Sequence, residues 1–139
     1  MTSLKPHLLI VLLLTIFTFT SCTEIKTSNA IDTYKYWAGT KPPADLELLN
    51  GQYWQSSHWT MEFILYLRFK STKKWWNEFQ KQNSISLDNG NWTVPDDAPT
   101  WFKPSNNFVR YRNDGDFDQG SRFFYDSLSG LCYIYVIQL

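Results

Sequence analysis

Between Met61 and Lys70 apolar and polar residues alternate: Met61, Phe63, Leu65, Leu67 and Phe69 fall on one side, Glu62, Tyr66, Arg68 and Lys70 on the other, with Ile64 the exception. A period of two sustained this long predicts a half-buried strand. Ser71 or Thr72 can cap the next element, and Trp75, Trp76 and Phe79 then recur at helical spacing, which predicts a helix over Lys73 to Asn83. Three short strands are predicted at Phe108 to Arg112, Ser121 to Asp126 and Leu131 to Gln138. The last is apolar on both sides, with Leu131, Tyr133, Tyr135 and Ile137 against Cys132, Ile134 and Val136, as suits the middle of a sheet.

Punctuating residues fill in the rest. Pro42-Pro43 with Asp45 and Glu47 suits a helix start and Gly51 a helix stop, so a short helix is predicted over 44–50. Asp88-Asn89-Gly90-Asn91 is a turn signal, and Pro95, Pro99 and Pro104 come after it, so irregular structure is predicted over 84–105. Together these elements predict an α+β fold: a short N-terminal helix, a long strand, and a helix packed on an antiparallel sheet that a C-terminal three-stranded meander completes. Residues 34–139 then form a single globular domain. Thr23 to Thr33 is polar and lacks aromatic rings, so 22–33 is predicted as a flexible tether, about 18 Å in mean span.

The N-terminus has a different pattern. Lys5 precedes an almost unbroken apolar stretch from Leu8 to Phe19, too short for the roughly 20 residues a membrane-crossing helix needs. A positive residue and a short apolar run are the layout of a signal peptide. Phe19-Thr20-Ser21-Cys22 comes next and resembles the lipobox of bacterial lipoproteins, with small residues at the two positions before a Cys. Phe19 departs from the Leu usual there but keeps the position apolar. The resemblance implies removal of residues 1–21, acylation of Cys22, and a cell-envelope protein held to a membrane by its lipid, the outer membrane in a Gram-negative host. Two other readings stand beside it: an uncleaved anchor, and cleavage after Ala30 with Ser28 and Ala30 as the small pair.

Composition narrows the partners. Removing Lys5 with residues 1–21 leaves 12 basic against 13 acidic side chains, a formal charge of −1 with no basic stripe, so nucleic acid is not an expected partner. The mature chain carries 7 Trp, 8 Tyr and 8 Phe in 118 residues, too many large rings for all to be buried. Cys132, with Cys22 acylated, has no partner for a disulfide and is expected as a small buried hydrophobe.

Candidate chemistry is sparse. His58 is the one histidine after the apolar stretch, so any His-based metal site or triad rests on it alone. Asp114, Asp116 and Asp118 stand at alternate positions as in a calcium loop, but Gln119 and Tyr125 occupy the places of the turn Gly and the bidentate Glu. A charged hairpin loop between two strands is therefore the preferred reading, and no metal is expected. Asp96 with Asp97, or either with Glu78, is the nearest approach to a glycosidase pair, but adjacent carboxylates point in different directions and nothing in the sequence sets a separation. Trp92, Trp101 and Phe102, on a Pro-rich loop, are either a stacking platform for a sugar face or a partner's side chain, or a plug over the sheet. No cofactor is expected. The favoured function is a non-catalytic ligand- or protein-binding lipoprotein. An immunity or inhibitor protein neutralising a toxin at the envelope and a small glycan-acting enzyme are the alternatives.

Overall fold

The computed structural model describes residues 23–115 and 118–139. The segment 1–21, Cys22 and Asp116 lie outside the described residues, and with them the candidate signal peptide, lipidation site and middle carboxylate of the acidic loop. Seven strands form one antiparallel sheet: β1 (Ile25–Thr27), β2 (Leu46–Gln55), β3 (Phe63–Ser71), β4 (Ile85–Leu87), β5 (Val109–Asn113), β6 (Arg122–Tyr125) and β7 (Leu131–Gln138). The spatial order is β1-β2-β3-β7-β6-β5-β4, so two meanders start from opposite edges and meet where β3 pairs β7, from Phe63↔Gln138 to Lys70↔Leu131. Two helices, α1 (Ala30–Ala38) and α2 (Lys73–Asn83), pack on one face. The α+β class, a helix on an antiparallel sheet and the C-terminal meander agree with the sequence pattern.

Local chemistry accounts for the helix ends. Asn29 caps α1, its Oδ1 accepting from the backbone N–H groups of Ile31 and Asp32 at 2.9 and 3.0 Å, and Gly39 stops the helix in the left-handed region at φ 69°. Of the two candidate caps for α2, Thr72 serves: its Oγ1 accepts from Trp75 N at 3.1 Å. Trp76 and Phe79 are buried under the helix. Trp76 stacks on Tyr125 with centroids 4.6 Å apart, and Phe79 leans on Phe123 at 5.6 Å.

Three expectations are corrected. Residues 44–50 do not form a helix, because β2 runs through Leu46–Gln55 and pairs with β3 along its length. Its alternation is broken by a bulge between Leu48 and Asn50, so Leu46 and Leu48 face the helices before it and Gly51 and Tyr53 after it. A bulge exchanges the faces of every later residue in the strand, which hides the period of two. The stretch 23–33 is not a free tether either: β1 pairs Ile25↔Gln55 to Thr27↔Tyr53, and Thr33 is buried. The globular unit therefore starts at β1, not at residue 34. Finally, β3 is buried on both faces, which is why Ile64 and Tyr66 fall on the side expected to meet water.

The sheet has this double burial because it divides the interior in two. Leu65, Leu67, Phe69, Cys132 and Ile134 face the helices. Tyr66, Phe124, Tyr133 and Tyr135 face the other way, where the segment between β4 and β5 lies over them. Packing rings on both sides of a two-sided apolar strand such as β7 removes far more apolar area from water than a single helical layer allows.

Candidate functional site

The segment 88–108 is irregular, as its prolines and turn residues imply, but Ile85–Leu87, within the 84–105 stretch expected to be irregular, forms β4 by pairing with β5. Asp88 Oδ1 accepts from Gly90 N at 2.9 Å, the side-chain turn that Asp-Asn-Gly favours. Further tight turns are closed by Ala98 N to Pro95 O, Phe102 N to Pro99 O and Phe108 N to Ser105 O. They drive Phe102 into the second interior, 1 % exposed, with Tyr66, Tyr133 and Phe124 around it at centroid distances of 5.0, 5.4 and 6.2 Å. Phe102 is thus a core residue and has no free face for a ligand. Trp101 leans on it edge-on and stays half-buried.

Trp92 has a different setting. Its ring touches Phe124 and Tyr135 with centroids 5.4 and 6.1 Å away and forms, with Phe108, the apolar wall of a groove of about 470 Å³ between the loop and the outer strands. Asn89, Ser105 and Asn106 add polar groups along it, and Leu87, Val94 and Val109 bring exposed apolar surface to its rim. Volume and mixed lining suit a small ligand. A second concavity of about 570 Å³ lies between α1 and α2, walled by Trp37, Trp75 and Phe79, with Glu78 and Asp45 beside it. It is the seam where two helices meet over the core.

Beneath the Trp92 groove runs a charged network. Asp88 Oδ2 accepts from Arg110 Nε at 2.8 Å and Arg122 Nε at 2.6 Å, and Arg110 Nη2 also donates to Gly90 O. Arg122 Nη1 reaches both oxygens of Asp118 at 2.8 and 3.0 Å. The Arg110 guanidinium also lies 5.9 Å from the Trp92 ring centroid. Burial works to raise the Asp88 carboxyl, but the Gly90 N–H and the Arg122 and Arg110 guanidiniums outweigh it and hold it below the ordinary carboxylate value. Two carboxylates and two guanidiniums cancel in formal charge, so the groove presents a polarised but neutral floor.

The other candidates are dispersed. Asp118, bound to Arg122 and Gly120 N, is taken up by the network, and among the described residues no three His, Cys, Asp or Glu side chains converge on a metal position. Glu78 sits on α2 while Asp97, whose Oδ1 accepts from Tyr66 at 2.9 Å, lies across the sheet, so they cannot flank one substrate bond. His58 is exposed in the β2–β3 loop. Cys132 is wholly buried, and desolvation pushes its thiol up to about 12 despite the nearby Ser71 hydroxyl.

Asp88, Arg110, Phe108 and Phe124 escaped the sequence reading of the site. Only the Asp-Asn-Gly turn hinted at Asp88, and nothing local ties it to Arg122, 34 residues on. Comparison with protein-family models, with curated proteins and with solved structures returns no match.

Proposed function

We propose that this chain is a non-catalytic cell-envelope lipoprotein, anchored through Cys22, that binds a neutral ligand in the Trp92 groove, a glycan segment being the chemistry that fits it best. The observation that carries the reading is the groove itself. A half-buried indole and a phenyl ring wall it, amide and hydroxyl groups line it, and its floor is charge-balanced. A sugar offers the complement, an apolar ring face bordered by hydroxyls. The floor supports binding over catalysis, because Asp88 is held ionised by two guanidiniums and has no proton to give.

The anchor reading gains support from the fold. Cleavage after Ala30 removes β1, the Asn29 cap of α1 and the Ala30 backbone that lies against Gly51. Cleavage before Cys22 leaves all three in place. Among the described residues no helix is long and apolar enough to cross a membrane.

The test is titration of the purified protein with neutral oligosaccharides, including soluble cell-wall glycan fragments, followed by tryptophan emission and calorimetry. Saturable binding is expected, weakened about fivefold by Asn106→Ala, the loss of one hydrogen bond of about 1 kcal/mol, and weakened by Trp92→Phe. Binding indifferent to both substitutions, or no saturable binding by any glycan, contradicts the assignment.

A further inference from the structure

We propose that the tip of the β2–β3 loop, Trp59 with Met61, inserts into the interfacial layer of the membrane that holds the Cys22 lipid. The inference rests on the lipid anchor at Cys22 and adds a second contact to it. Trp59 is 88 % exposed and Met61 58 %, a large apolar surface left uncovered by the described residues. Leu139 is also 66 % exposed. Scattered apolar side chains on a surface are ordinary. What sets these apart is where they stand relative to the start of the fold.

Strand register places them. Ile25, the first residue of β1, pairs with Gln55, the last of β2, and Phe63, the first of β3, pairs with Gln138 at the end of β7. The entry of the chain into the sheet, the β2–β3 loop and the C-terminus therefore share one end of the sheet. Neighbouring strands lie about 4.8 Å apart, so the three features span roughly 15 Å from β1 to β7. Leu139 is fixed there by Gln119, which accepts from its N–H at 2.7 Å and donates to its carbonyl at 3.3 Å.

Chain length then brings this end to the bilayer. Two residues, Thr23 and Glu24, separate Cys22 from Ile25, and the three steps of a fully extended chain cover at most about 3.5 Å each, or about 10 Å. Acyl chains on Cys22 thus hold this end of the sheet within about 10 Å of the lipid, leaving no room for a long standoff. Tryptophan favours the headgroup boundary, where an apolar ring is buried while its N–H stays hydrated. The loop is shaped to present it: Met61 adopts a left-handed φ of 52° and its N–H closes a turn on His58 O at 3.0 Å, leaving Trp59 and Thr60 between them.

Charge selects the kind of surface. Glu24 and Lys26 flank Ile25 and form an ion pair, while Glu62 borders the loop, and Asp114 and Asp118 lie beyond β7 in the β5–β6 connection. Among the described residues, the β2–β3 loop and the entry strand β1 therefore offer no cationic cluster for anionic lipid, and the occupant is a zwitterionic interface entered by apolar side chains.

The experiment uses the full chain, expressed in a bacterium, recovered from the membrane and reconstituted into phosphatidylcholine vesicles brominated at acyl carbons 6 and 7. The wild-type emission is expected to contain a bromine-quenched component that the Trp59→Phe variant lacks, with Cys22 acylated in both. Equal fractional quenching in the two proteins overturns the insertion while leaving the lipid anchor intact. Recovery of wild-type protein in the soluble fraction overturns both. So exposed a residue contributes little to folding, and matched thermal melts of the two proteins confirm that quenching compares like with like.

Discussion

The Tyr66 hydroxyl donates to Asp97 Oδ1 at 2.9 Å, fastening the irregular segment 88–108 to a central strand. The Tyr66 ring also stacks on Tyr135 and meets the edge of Phe102, both at 5.0 Å. Two consequences differ in size. Tyr66→Phe keeps the rings and frees an exposed carboxylate into water, at a cost of about 1 kcal/mol. Asp97→Ala strands a buried hydroxyl and is expected to cost more, up to about 3 kcal/mol. Denaturant melts order the two variants, and hydrogen exchange is expected to rise across 88–108 in both. The reverse order refutes the fastening.

Gly51 is the contact point of β2 and α1. A β-carbon there lies 2.7 Å from both the Ala30 Cα and the Thr33 Oγ1, and a backbone atom cannot step aside. Gly51→Ala is expected to cost about 1–3 kcal/mol through overpacking, read as a fall in melting temperature of several degrees. A variant as stable as the wild type places α1 elsewhere.

Gly51 also shows what the sequence conceals. Beside Asn50 and after a pair of prolines it looks like a helix stop, whereas its lack of a side chain serves a helix belonging to another part of the chain. The strand around it is camouflaged by the bulge at Leu48 to Asn50. Strand β1 has no pattern of its own: Ile25, Lys26 and Thr27 are ordered by pairing with β2 alone. By contrast β7 and α2 are legible because their periods are unbroken and their apolar residues meet the core where they stand. At the site, Trp92 was legible as an aromatic on a stiff loop. The burial of Phe102 was not, since it depends on Tyr133 arriving from a strand 31 positions later.

The network under the groove sets an acid limit. The folded value of Asp88 lies below its ordinary 3.8, so its stabilising contribution is complete above that value and is lost as pH falls through the folded value. Asp88→Asn removes the carboxylate that Arg110 and Arg122 share, leaves Arg122 paired to Asp118, and is expected to cost about 2 kcal/mol at neutral pH. The gap between variant and wild type should narrow as pH falls below 3.8 and through the folded value. A gap independent of pH shows that packing, not charge, is what the substitution removes.

Buried tyrosines set the opposite limit. Desolvation raises Tyr34, Tyr53, Tyr66, Tyr125 and Tyr135 above the ordinary 10.0. A folded value above the unfolded one gives stability that is complete below pH 10 and lost as pH rises beyond it. Thermal melts taken upward from about pH 8 should fall steeply past pH 10, with tyrosinate absorbance appearing together with unfolding. Ionisation of these rings in protein that stays folded contradicts their burial.

The membrane anchor is the claim on which the location of the groove and the orientation of the sheet both depend. Its most direct test is the intact mass of the protein extracted from the membranes of a bacterium expressing the full chain. The expected species begins at Cys22, lacks residues 1–21, and carries the added mass of acyl chains on that residue. A species that begins at Met1 or Ile31, or that begins at Cys22 with no added mass, contradicts the account.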